Sequence, residues 1–298
     1  MDQATRRDFL RTGLAATVIA GGGGAGAMTA QAAKRSAADW IALGNSGVKV
    51  TRLAVGTGTF SGRVQRALGQ DGFTRLIRHA YDRGIRFFDT GESYGTHKML
   101  SIALKGLPRE SYRLMTKYDD FGKEDPRAKL DRFRRELGTE YIDILLIHYL
   151  RDPRWTETTK PVQDALSEAK VRKTVLAHGV SEHGLPVLAT LPGYKWLDVA
   201  LVRTNHAGVH MDTPSVTDPD DNGDVKQVVA QLDRIHAQGT GVLGMKLIAE
   251  GLFTKPEERE ASIRFVMGLG TVDAITIGYK SIAELDEAIE RVDRALNA

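Results

Sequence analysis

The stretch "IDILLIHY", Ile142 to Tyr149, is apolar almost throughout, broken only by Asp143 and His148. A strand with one wet face alternates apolar and polar residues. A strand apolar on both faces must be covered on both, as in a parallel sheet lying against helices. The flanking sequence supplies those helices. Before the strand, Leu130, Phe133 and Leu137 mark a helix face that Gly138 ends. After it, a helical segment near Val162 to Ala169 leads into the extended run "TVLAHGVS". The same rhythm extends both ways. Upstream lie the face Phe73, Leu76, Ile77, Ala80 and Tyr81 stopped by Gly84, the run "IRFFDT", the helix "KMLSIALKGL" and the strand "YRLMTKY". Downstream come a short helix, "LDVALVRTN", the face Val225, Val228, Val229, Leu232 and Ile235, then "GVLGMKLI" and "EEREASIRFVMG". "DAITIGY" and the face Ile282, Leu285, Ile289, Val292 and Leu296 close the chain.

"IALGNSGVKVTRLAVGTGTF" reads as strands joined through the turn "GNSG". A hairpin followed by eight strand–helix units over about 250 residues fits a closed (β/α)8 TIM barrel. The competing architecture is an open, doubly wound sheet, which carries G-x-G-x-x-G after its first strand. "VGTGTFSG" supplies Gly56 and Gly58, but the third glycine position is Ser61, and Gly62 comes one residue late. The expectation is one α/β barrel domain, residues 39–298.

The first 32 residues read differently. "TRRDFLRTGLAATVIAGGGGAGAMTAQAAK" opens on Arg6 and Arg7, continues through a glycine-rich apolar run and reaches the small-x-small pattern Ala30 to Ala32. This order resembles a twin-arginine export signal, cleaved near Ala32. The implied location is periplasmic or secreted, with the export machinery as a partner. The run is too short and glycine-rich to span a bilayer, which needs about 20 apolar residues. No cysteine supports a lipid anchor there, so no stable membrane anchor is expected.

The chain contains no cysteine at all, which excludes disulfides, thiolate metal sites, iron–sulfur ligation and cysteine nucleophiles. The net charge is only +3, and the densest basic run, "RFRRE" at 132–136, sits in a helical pattern. It reads as a solvated helix face, and nucleic acid is not an expected partner.

In a barrel the chemistry gathers at the C-terminal ends of the strands. Asp89 ends the second, Tyr94 follows it, Lys117 ends the third and His148 the fourth. Each alone has an ordinary structural reading; together, on neighbouring strands, they suit proton transfer. A phenol with pKa about 10 is a reluctant acid, and a nearby ammonium lowers that value. Lys117 does this if it points at the Tyr94 hydroxyl, with Asp89 holding Lys117 charged and oriented. His148 is placed to hydrogen-bond a substrate carbonyl or relay its proton. Such a set protonates an oxygen while hydride arrives at carbon, and the hydride needs a nicotinamide cofactor.

These motifs resemble the aldo-keto reductases over residues 40–296. "DTGESYG" is similar to the family's Asp-Thr-Ala-x-x-Tyr-Gly element, with Gly91 for the alanine, and "LMTK", "LGTEYIDILLIH", "GVS" and "GMK" follow in order. The resemblance implies a catalytic tetrad of Asp89, Tyr94, Lys117 and His148, Tyr94 being the general acid, acting on an aldehyde or ketone. It further implies that Gly58, Thr59 and Phe60 line the nicotinamide pocket and that Ser181 contacts the carboxamide. Glu182 stands where the family usually has asparagine, so amide recognition is altered, since a carboxylate only accepts. Met245 and Lys246 would line the cofactor's ring and pyrophosphate. Lys280, Ser281 and Glu284 would meet the adenosine end. NADP(H) is the family default, but Glu284 and Ala288 replace an arginine and an asparagine often used for the 2′-phosphate, so NAD(H) stays open.

Two further patterns lead elsewhere. "DPDDNG", Asp218 to Gly223, begins like a calcium loop, yet its twelfth position is Val229; an acidic turn capping the next helix through Asp224 is the expectation. His206, His210 and Asp212 form a metal-like trio without helical spacing, and no metal is expected. Two rival functions remain: a cofactor-binding partner or sensor module with little turnover, and a periplasmic binder that has lost redox function.

Overall fold

The turn "GNSG" joins β1 (Trp40–Ala42) to β2 (Lys49–Thr51), which pair antiparallel. In this computed structural model residues 34–119, 122, 124–215 and 222–298 are described. Residues 1–32, expected to be an export leader, and most of the stretch Asp218–Gly223, expected to be an acidic turn, lie outside them. The hairpin packs on the barrel's N-terminal end. Gly44, at φ +49°, sits where a Cβ would lie 2.4 Å from the Gly241 amide nitrogen, so only glycine fits. Leu43, Val48 and Val50 drop into the barrel interior and fill its base.

Eight parallel strands close into a barrel: β3 (Leu53–Gly56), β4 (Phe87–Asp89), β5 (Arg113–Tyr118), β6 (Ile142–Leu150), β7 (Val175–Glu182), β8 (Val199–Arg203), β9 (Gly241–Met245) and β10 (Ala274–Gly278), with β10 returning to β3. Helices α2 (Gly69–Asp82), α3 (His97–Leu104), α4 (Pro126–Leu137), α6 (Lys160–Val171), α7 (Leu185–Leu188), α8 (Val225–Ala237), α9 (Pro256–Gly268) and α10 (Ile282–Leu296) follow the strands in turn. Two short helices, α1 (Arg63–Arg66) and α5 (Trp155–Thr158), precede α2 and α6. The expected barrel with its hairpin is the observed fold. The helix after β7 is the weak unit: α7 is one turn long, and Pro192 soon after bars its continuation. Elsewhere local signals are strong. Asp125 caps α4 by accepting from the Ala128 amide at 3.0 Å, and Gly138 ends that helix at φ +64°. Asp224 caps α8 through the Lys226 and Gln227 amides.

Two cores follow from the two-residue period of a strand. Ala54, Phe87, Met115, Ile144, Leu146, Ala177, Leu201 and Leu243 face the barrel axis. Their neighbours Val55, Phe88, Leu114, Leu145, Ile147, Val202 and Val242 face the helices. The near-continuous apolar character of "IDILLIHY" is this double burial. Near the tip of β6 the register with β7 shifts by one residue: Ile147 pairs with Val180, but Leu150 with Glu182. Tyr149 sits at this irregularity with φ +53° and is 45% exposed. The shift turns Leu150 onto the helix side, where it joins the outer core.

The compact unit begins before the expected boundary at 39. The Ala37 amide donates to Asp293 at 2.6 Å, and Asn297 exchanges hydrogen bonds with the Arg35 backbone, tying the segment to α10. Among the described residues no helix is long and apolar enough to cross a membrane.

Candidate active site

The interior rows of side chains end in polar groups. Phe87 is followed two residues on by Asp89, Met115 by Lys117 and Leu146 by His148. The same alternation that builds the inner core therefore delivers all three to the C-terminal mouth. Tyr94 comes from a 3₁₀ turn, Glu92–Tyr94, just after β4. Two glycines make room for its ring. A Cβ on Gly58 would lie 2.5 Å from it, and one on Gly91 3.0 Å. Gly91 thus leaves room that the Tyr94 ring occupies.

The Lys117 ammonium is buried and donates to an Asp89 carboxylate oxygen and, at 2.9 Å, to the Thr90 carbonyl. The second Asp89 oxygen accepts from the Thr276 hydroxyl at 3.0 Å. The Tyr94 hydroxyl lies 3.2 Å from His148 Nε2. His148 Nδ1 lies 2.6 Å from Asp119, a carboxylate that the reading of the sequence did not single out. Its signal was present, since Asp119 continues the two-residue row beyond Lys117.

The electrostatics correct one expectation. Lys117 points at the ring face of Tyr94, 4.8 Å from its centroid, and is bound to Asp89 and Thr90 rather than to the hydroxyl. Burial pushes the Tyr94 phenol well above its ordinary pKa, and the charges of Asp89, Asp119 and Glu250 push it further. The phenol is therefore held protonated rather than acidified. Burial also tends to raise the Asp119 carboxyl, but the hydrogen bond and charge of His148 and the Ser93 amide outweigh it, and its pKa lies below normal.

These groups line a cavity of about 1180 Å³. It runs from Tyr94, Lys117 and His148 past Met245 and Lys246 to Lys280, Glu284 and Arg291. Gly58, Thr59 and Phe60 form part of its wall. Non-glycine residues with positive φ gather there: Phe60, Ser61, Tyr149, Lys246 and Glu250 all line it.

Comparison with known proteins gives this arrangement its context. Residues 52–296 match the model of the aldo/keto reductase family. The chain belongs to the aldo/keto reductase family. L-galactose dehydrogenase of Arabidopsis thaliana is 27% identical over 300 residues, covering 84% of this chain and 87% of that one. The NADH-specific methylglyoxal reductase of Escherichia coli K12 is 25% identical over 233 residues, covering 67% and 69%. The holo form of an aldo-keto reductase from Bacillus halodurans superposes with a TM-score of 0.67 at 16% identity, over 87% of this chain and 95% of that one. The last likeness speaks for the fold. Membership makes the chain an oxidoreductase that uses a nicotinamide cofactor on carbonyl or CH–OH groups.

Within this aldo/keto reductase, the β7 exit departs from expectation. Neither Ser181 nor Glu182 lines the cavity; His183 does. Ser181 points inward beneath the cavity, and its hydroxyl is buried without a partner. Glu182 is fully buried, accepts from the Gly184 amide at 3.1 Å and faces Asp212, whose other oxygen accepts from Arg203 at 2.6 Å. Burial and the Asp212 charge raise the Glu182 pKa well above normal, so the pair shares a proton over Arg203. Asp212, one of the metal-like trio, is thereby engaged by Glu182 and Arg203. His183 is buried, and burial lowers its pKa well below normal, leaving a neutral imidazole at the wall.

At the far end, Ser281 caps α10 through the Glu284 amide at 3.2 Å and is not in the wall, while Glu284 accepts from the Lys280 amide at 3.0 Å. Arg259 and Arg291 also line this end. They were missed because each is set by packing of α9 on α10, which no local motif announces. Arg259 pairs with Glu287 at 2.8 Å, Arg291 with Glu260 at 2.6 Å, and Lys280 with Glu284 at 3.3 Å.

Proposed function

We propose that this aldo/keto reductase is an exported carbonyl reductase in which Tyr94 protonates the substrate oxygen. The observation that carries this reading is the Tyr94 hydroxyl, 3.2 Å from His148 Nε2, at the cavity end where Asp89 holds Lys117. A nicotinamide dinucleotide fits the cavity chemically. The wall has apolar stretches in Leu247, Ile248 and Ile277, cations in Lys246, Lys280, Arg259 and Arg291, and the first turn of α10 at one end. When bound, the cofactor supplies hydride.

The protein's own part is binding and proton delivery. Tyr94 receives the carbonyl oxygen of a small aldehyde or ketone, with His148 Nε2 beside its hydroxyl at 3.2 Å. The raised phenol keeps its proton across the physiological range, as a general acid for reduction must. Lys117, fixed by Asp89 and Thr90, places a positive charge beside the phenol ring and eases charge developing on its oxygen. Every cation of the adenosine end already has a carboxylate partner. A 2′-phosphate would have to displace a glutamate there, whereas a ribose hydroxyl could donate to one. We therefore favour NAD(H) over the family default of NADP(H).

The test is turnover of generic aldehydes with each cofactor, alongside calorimetric cofactor affinity. Tyr94→Phe should reduce kcat by at least about 10³-fold with unchanged cofactor affinity. Retained turnover would remove Tyr94 from its role. Wild-type protein that binds cofactor but turns over no carbonyl would favour the partner or sensor reading. NADPH binding tighter than NADH would reverse the cofactor preference. Export would take the protein out of the cytoplasmic cofactor pool, so cofactor is loaded before translocation and travels bound. Exported protein purified empty, with weak affinity, would sink that part.

A further inference from the structure

The reductase reading leaves one carboxylate of the site without a task. We propose that Asp119 is a positioning residue that completes a Tyr94–His148–Asp119 chain and sustains proton delivery to Tyr94. The proposal rests on the reductase reading above.

Asp119 is held at every polar atom. Its amide donates to Glu92 Oε2 at 3.0 Å, and its carbonyl accepts from Lys129 Nζ at 2.5 Å. One carboxylate oxygen accepts from the Ser93 amide at 3.0 Å; the other meets His148 Nδ1 at 2.6 Å. Lys129 is itself buried and paired with Glu92 at 2.9 Å. Ser93 precedes Tyr94 in its 3₁₀ turn, so one carboxylate fixes both the imidazole and the turn that carries the phenol.

The chemistry of the contact decides the tautomer. A carboxylate only accepts, so the proton of that bond sits on His148 Nδ1. Nε2 is then the atom that faces Tyr94. Neutral His148 accepts there from the phenol; doubly protonated His148 donates there to a phenolate. In reduction, hydride adds to the carbonyl carbon and the C=O π pair moves to oxygen, which takes the Tyr94 proton. The phenolate takes the Nε2 proton of the imidazolium. His148 returns to its neutral form, keeping Nδ1–H on Asp119, and a solvent proton restores it. Asp119 stays ionised throughout. The relay meets a need visible in the site: burial and three carboxylates make a standing phenolate costly.

The other groups around His148 do not duplicate this role. Lys117 and Asp89 are bound to each other on the β4–β5 side. Tyr149 follows His148 on β6, and neutral His183 stands at the β7 exit, its ring centroid 6.2 Å away. Lys246 and Glu250, beyond β9, pair with one another. Tyr94 and Asp119 are the two groups hydrogen-bonded to the imidazole among the described residues.

The experiment compares wild type with Asp119→Asn, which keeps the shape and removes the charge. Expected are unchanged cofactor affinity, a kcat lower by roughly 10–100-fold, a KM changed less than kcat, and an altered pH profile of kcat. Nitrogen-15 NMR of the histidines reads the same chain without turnover. The His148 Nδ1 proton should resonate far downfield in wild type and lose that shift in Asp119→Asn. Wild-type turnover, an unmoved pH profile and an unmoved Nδ1 proton signal in the variant overturn the proposal. Should Asp119→Asn fail to fold, the wild-type spectrum decides: a missing downfield Nδ1 proton overturns the chain. Wild type without any carbonyl turnover would instead sink the reductase reading.

Discussion

At the level of single residues, the Tyr94 end of the cavity depends on what is absent as much as on what is present. Gly58 and Gly91 leave the volume that the Tyr94 ring fills. A methyl on Gly58 would fall 2.5 Å from the ring and 2.9 Å from its hydroxyl, so the ring must move. Displacing a reacting group by about 1 Å costs on the order of 10²-fold in rate. Gly58→Ala should therefore lose about that much kcat while its thermal midpoint stays near wild type. Gly91→Ala, with a 3.0 Å approach, should cost only a few-fold, because a small tilt of the ring relieves it. Steady-state kinetics of the two variants check the order; a larger loss at Gly91 would contradict it. Asp89, Tyr94, Lys117 and His148 were legible in the sequence because each ends a strand or follows one. Glu182 was misplaced because a β-strand turns successive side chains to opposite faces. Ser181 takes the inward position, and Glu182 goes to the buried acid pair with Asp212.

Among the elements, β7 carries the clearest pH signature. His178 is buried and stacks on Trp196, with ring centroids 4.2 Å apart and planes 9° from parallel. Burial lowers its pKa from 6.5 to about 4, and nearby Lys170 adds to this against the pull of Asp198. The sign follows from linkage. Between pH 6.5 and 4 the unfolded chain binds more protons at this site than the folded one. The stability tied to neutral His178 is present above pH 6.5 and is lost as pH falls toward 4. In His178→Asn, the thermal midpoint should fall less steeply over that window than in wild type. Parallel curves would show that His178 does not titrate as described. The strand order and most helices were readable from apolar periodicity, but the irregularity at the tip of β6 was not. It lies in the pairing of two strands, and neither strand's own sequence states its register.

For the whole molecule, the compact unit starts at Lys34, and Arg35 and Ala37 are tied to α10. Cleavage near Ala32 would leave those ties intact, which suits a leader removed from a folded barrel. Arg6→Lys with Arg7→Lys should abolish export and leave full-length protein in the cytoplasm with unchanged carbonyl turnover. Cell fractionation with N-terminal sequencing of the exported form checks this. Continued export of the double variant would remove the twin-arginine reading.

The sequence by itself determined the barrel, because a strand buried on both faces and a helix with one apolar face have few ways to cover each other. It also determined the three inward polar strand ends, through the same alternation that fills the core. Only the tertiary structure decided how those groups act. The direction of Lys117, the rise of the Tyr94 phenol and the bond from His148 to Asp119 depend on which side chains meet across strands. Charge and burial are summed over such neighbours, and that sum does not exist until the chain has closed.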